Sequence, residues 1–131
     1  MSRRFRGAFG LLLVCIASAC GDGGGPPSRA GDLTVSYFQG GPGAGALLLT
    51  ITGGEVDNVT AEHGEQVAFS SPSPGMTRVI VMGNLGTGVL LRVRVPDVTL
   101  ASRYSVLTDQ VADKITFSLI DPTPHTLTIS P

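Results

Sequence analysis

From Asp32 onwards the chain alternates apolar and polar residues with a period of two. Leu33, Val35 and Tyr37 alternate with Thr34 and Ser36, and Leu47, Leu49 and Ile51 with Leu48, Thr50 and Thr52. Val67 and Phe69 follow, then Ile115, Phe117 and Leu119 against Thr116 and Ser118, and last Leu127 and Ile129 against Thr126 and Thr128. Successive side chains of a strand point to opposite faces, so this spacing predicts half-buried strands. No window carries a 3.6-residue stripe, although Thr108 to Lys114 has room for one helical turn. Pro42, Pro72, Pro74, Pro96, Pro122 and Pro124 fall between the runs, where a missing amide hydrogen costs no ladder bond. Eight or nine short strands in about 100 residues predict an all-β fold, an antiparallel β-sandwich of Ig-like or jelly-roll type.

One pairing follows from turn chemistry. Thr77 to Gly83 and Thr87 to Val95 flank Asn84-Leu85-Gly86, a three-residue loop whose last residue suits a left-handed conformation. The hairpin this predicts sets Val79 opposite Leu91 and Val81 opposite Val89 on the core side, with Val93 and Val95 beyond. Its other face would carry Arg78 opposite Arg92, Ile80 opposite Leu90, and Arg94. Directly opposed arginines repel, so an acid from a neighbouring strand or from a partner is expected beside them. Arg78, Ile80, Leu90, Arg92 and Arg94 are the candidate binding face.

The chain opens differently. Arg3, Arg4 and Arg6 precede an apolar run from Ala8 to Ala19, the charge and hydropathy pattern of a secretory signal. The run is shorter than the roughly 20 residues needed to cross a bilayer. It ends in Ala17-Ser18-Ala19-Cys20, small residues directly before a cysteine. This resembles the lipobox of bacterial lipoproteins, which implies cleavage after Ala19 and lipidation of Cys20 with palmitate-type chains. The rival reading is an ordinary cleaved signal with an unmodified Cys20. Cys15 follows Val14, which is not small, and its removal with residues 1–19 leaves no partner for an internal disulfide. Several acyl chains would make attachment effectively permanent, since each buried methylene contributes about 0.8 kcal/mol. In that family an Asp directly after the lipidated cysteine retains the protein in the inner membrane; here Gly21 stands there, which implies the outer membrane.

Residues 20–31 then read as the lipidated cysteine and a flexible Gly/Pro linker, and residues 32–131 as the β-sandwich domain. The linker reaches roughly 20 Å as a coil and at most about 40 Å extended. After cleavage six basic residues face ten acidic ones, a formal charge of −4. Affinity for phosphates rests on a surplus of Lys and Arg, so no nucleic-acid partner is expected.

The order of strands also resembles cohesin-type jelly rolls of bacterial surface assemblies. The residues that carry this are Gly45 to Gly54, leading into Glu55 to Ala61, and Gly88 to Pro96 with Leu91 at the usual aromatic position. The likeness lies in hydrophobic spacing and turns, and it transfers no binding residues.

Candidates for chemistry are few. Gly41-Pro42-Gly43-Ala44-Gly45-Ala46 satisfies the dinucleotide pattern G-x-G-x-x-A, but the pattern requires a helix to begin there and Leu-Leu-Leu-Thr-Ile-Thr follows; a flexible hairpin loop is expected instead. Glu62-His63-Gly64-Glu65 contains H-x-E without the Cys-x-x-Cys of zinc deaminases, so a metal on His63 with Glu62 or Glu65 and a remote ligand such as His125 ranks below a polar turn. Asp109, Asp113 and Asp121 lack the spacing of a calcium loop. Asn58-Val59-Thr60 reads as a turn or bulge. Neither histidine stands in a nucleophile-elbow context. The expectation is therefore no enzyme and no cofactor. It is an envelope protein, anchored to the membrane by lipid, that binds a protein or glycan partner or serves a structural role without a specific ligand.

Overall fold

The computed structural model describes residues 27–131, so the expected signal sequence and Cys20 lie outside the described residues. Two antiparallel sheets face each other. Nine strands build them: β1 (Gly31–Gln39), β2 (Ala44–Thr52), β3 (Asn58–Ala61), β4 (Gln66–Ser73), β5 (Met76–Leu85), β6 (Gly88–Val95), β7 (Ser105–Asp113), β8 (Leu119–Ile120) and β9 (His125–Ser130). One sheet runs β3-β6-β1-β9, the other β4-β5-β2-β7-β8. The expected antiparallel sandwich is the fold.

The period-two residues make the core. Leu33, Val35 and Tyr37 from one sheet meet Leu47, Leu49, Ile51, Val79 and Val81 from the other, and Leu91, Val93 and Val95 complete the layer. Each such aliphatic side chain contributes roughly 1.5–3 kcal/mol by leaving water.

The predicted hairpin is a different structure. β5 and β6 belong to opposite sheets, and the chain arches over the core between them. Leu85 explains why: it is 2% exposed and closes that end of the core, which a hairpin loop in water could not do. Val79 therefore pairs with Leu49 and Phe69, and Arg78 with Thr50 and Ser70. Arg92 pairs with Thr34 and Thr60. The core assignments of Val79, Val81, Leu91, Val93 and Val95 hold, because side-chain parity does not depend on the partner strand. Gly40 to Gly43 likewise joins the two sheets rather than forming a hairpin loop.

Four further expectations change. Thr108 to Asp113 is strand, and the one helical segment among the described residues is a kinked 3-10 stretch, Val98–Arg103. Asn58 to Thr60 is strand β3, paired with β6. Pro72 lies within β4, where it is tolerated because β4 is an edge and its register shifts between Ser70 and Ser73. Ile115 and Phe117 are not in a half-buried strand: residues 114–118 form the β7–β8 turn, and Ile115, Phe117 and Leu119 are exposed.

The strands give the sandwich two ends, about 30 Å apart. The chain enters at one: Arg29 donates its backbone N–H to Asp97, and Val98 returns a bond to the Arg29 carbonyl. The β1–β2, β3–β4, β5–β6 and β7–β8 connections gather at the other, termed distal here.

Candidate functional site

The five residues of the expected binding face are divided by the fold. Arg78 and Ile80 lie on the outer face of the five-stranded sheet, Arg92 and Arg94 on the outer face of the four-stranded one. Leu90 is on neither. The β1–β6 register shifts beside Val35, so Leu90 and Leu91 both turn inward, and Leu90 is 1% exposed.

The expected acids are neighbours in the same sheet. Glu62, just past β3, accepts two hydrogen bonds from the Arg92 guanidinium, at 2.6 and 3.1 Å. That contact holds its carboxyl below the usual range. Asp32 of β1 lies 3.5 Å from Arg94. Exposed pairs of this kind neutralise a face more than they stabilise a fold. The other outer face mixes apolar and polar side chains: Ile80, Met82, Leu107 and Leu119 are exposed on it, and Arg78 lies among them between Thr50 and Ser70.

The distal end holds a cleft of about 770 Å³. The β3–β4 loop supplies His63, Gly64 and Glu65, β4 supplies Gln66, β5 supplies Met82, Gly83 and Asn84, and the β7–β8 turn supplies Lys114 and Phe117. Asp113 builds that turn. Its carboxylate accepts from the backbone N–H of Ile115 at 2.8 Å and of Thr116 at 3.0 Å, bonds that hold its carboxyl below the usual range. Its carbonyl accepts from Phe117 at 2.9 Å. Phe117 consequently takes a φ of +55°, the left-handed region, which costs a side chain roughly 1–2 kcal/mol. Phe117 is 67% exposed.

The Gly-rich stretch before β2 has a packing role here. A Cβ at Gly45 would come within 3.2 Å of the Phe117 ring, and one at Gly43 within 2.7 Å of the Lys114 chain. Both side chains of the turn therefore lie over glycines. No helix begins there, as the dinucleotide pattern would require.

Beneath this end the Tyr37 hydroxyl and His125 Nδ1 share a hydrogen bond of 2.6 Å, with the rings nearly parallel. His125 is 2% exposed and its Nε2 has no partner among the described residues. Burial pushes the imidazole below its usual value, against a smaller opposing pull from Asp121, and pushes the Tyr37 phenol up. His63 lines the cleft while His125 stacks on Tyr37 in the interior. Asp109 accepts from Thr50, Asp113 caps its turn and Asp121 accepts from Thr123. Among the described residues no three His, Cys, Asp or Glu side chains converge on one point.

Compared with known proteins, the chain matches no family model, no curated protein and no solved structure. The cleft was only partly legible in sequence. Glu62 to Glu65 and Gly41 to Ala46 carry patterns of other chemistry, and Phe117 has the spacing of a half-buried strand. Asp113-Lys114, which interrupts the apolar run, is the available signal that a turn begins before Phe117.

Proposed function

We propose that this chain is an envelope lipoprotein, attached through lipidated Cys20 at the outer membrane, whose sandwich is a non-catalytic binding or assembly module contacting its partner through the distal end. One observation carries the choice of surface: Arg29 ties the incoming chain to one end of the sandwich, while the cleft and exposed Ile115, Phe117 and Leu119 crowd the other. A tethered module meets partners most freely at the end away from its tether. Exposed apolar side chains grouped on one turn and the strand that follows it are what a contact surface supplies and what a solvated loop avoids.

Two experiments test the two halves. Membrane fractionation with mass measurement of the mature chain should find an acylated protein in the membrane fraction and the Cys20→Ala form released from it; an unmodified soluble wild type would contradict anchoring. Replacing Ile115, Phe117 and Leu119 together with Ser should abolish partner adducts in chemically cross-linked cells while thermal unfolding stays unchanged. Unaltered adducts would favour a structural envelope role without a specific ligand.

A further inference from the structure

We infer that the distal cleft is a groove for an uncharged saccharide, with one pyranose ring laid against Phe117. This rests on the reading of the sandwich as a binding module and names its ligand class. The cleft's volume of about 770 Å³ falls within the range of small-ligand sites, roughly 300–1,000 Å³.

Its lining combines one exposed aromatic ring with the amides of Gln66 and Asn84 and the charged or polar groups of His63, Glu65 and Lys114. A pyranose has the same two sides. Its ring faces present polarised C–H groups, which suit the negative face of a phenyl ring. Its rim presents hydroxyls that both donate and accept, as amide side chains do. Glu65 and Lys114 offset each other's charge, so the cleft favours neither an anion nor a cation. A wholly apolar peptide anchor would strip water from the amides and charges without replacing their hydrogen bonds. An uncharged polyol replaces them.

Phe117 adds a second, independent observation. Its left-handed backbone is fixed by the three bonds to Asp113, and its ring lies over Gly45 with most of its surface in water. Core packing does not account for a strained, exposed aromatic residue. Strain of this kind collects where a side chain is held ready for a ligand.

The test is a titration of the full chain, followed by amide chemical shifts in NMR, with two probes: chitotetraose, whose rings carry N-acetyl groups, and cellotetraose, whose rings do not. Saturable shifts confined to the cleft are expected. Phe117→Gly, which removes the ring and relieves the turn, should weaken binding about tenfold or more, Asn84→Ala several-fold, and Phe117→Tyr little. Tighter chitotetraose would indicate a cell-wall type of glycan, and tighter cellotetraose an unsubstituted glucan. Absence of saturation by both sugars, or undiminished binding by Phe117→Gly, would overturn the saccharide. The binding-module reading would survive that result if the Ile115, Phe117 and Leu119 substitutions still abolished adducts in cells.

Discussion

The two ends of the sandwich are built from the same strands and differ in what their connections do. At the end where the chain enters, the connections close the fold. Gly53 has a φ of +109° and no room for a Cβ, which would lie 1.8 Å from the Arg103 carbonyl oxygen. Tyr104 is 8% exposed and donates to the Glu55 carbonyl at 2.7 Å, and Asp97 caps the 3-10 stretch while receiving Arg29. At the distal end Leu85, Tyr37 and His125 close the core from beneath, and the connections above them leave a cleft and an exposed phenylalanine. The difference separates stability from contact: substitutions at the first end should be felt in folding, and those in the distal turn in binding.

Gly53→Ala gives the largest expected effect, since a methyl overlaps backbone and a left-handed φ becomes strained together. Destabilisation of about 3 kcal/mol is expected, read as a fall of ten degrees or more in the melting temperature; a fall of only a degree or two would remove the distinction between the ends. Tyr37→Phe should cost about 1–2 kcal/mol, because it leaves His125 with neither ring nitrogen bonded.

Acid should then act on the same pair. His125 titrates lower in the folded chain than the 6.5 of a free side chain. Its contribution is complete above that value. As pH falls below it the unfolded chain takes up the proton first, so stability declines towards the folded value. The lowered carboxyls of Asp97, Asp113 and Asp121 lose their contributions in a separate window, below their ordinary 3.8. Denaturant titrations between pH 7.5 and 5 should show the decline in the wild type and a flat profile in His125→Gln.

Smaller still, Phe117→Gly should be neutral to stabilising by about 1 kcal/mol, since relief of backbone strain offsets glycine's entropy and the loss of a mostly exposed ring's contact with Gly45. Smallest is Arg92→Gln: the Glu62 pair is solvent-exposed, and the melting temperature should not move measurably in moderate salt.

The alternation in β1, β2, β5, β6 and β9 identified strands and core because side-chain parity is local. Sheet membership is not local. Asn84-Leu85-Gly86 has the composition of a hairpin turn, and only the burial of Leu85 across the sandwich makes it an arch. Leu90 turns inward, off the expected face, because a bulge shifts parity by one residue without a marker in sequence. Ile115 and Phe117 keep strand spacing in a turn, because the bonds to Asp113 override their propensity, and only Leu119 of that run is in a strand. Arg78 and Arg92 are on opposite sheets and do not oppose each other, and Glu62 and Asp32 pair with Arg92 and Arg94 within the four-stranded sheet.

The most direct test of contact at the distal end is photocross-linking in intact cells. One full-length variant would carry a photoreactive phenylalanine at Ile115 and the other at Leu100, an exposed apolar residue at the opposite end. Discrete adducts from position 115 and none from position 100 are the expected result. Adducts from position 100 alone, or from neither, would contradict the assignment of contact to the distal end.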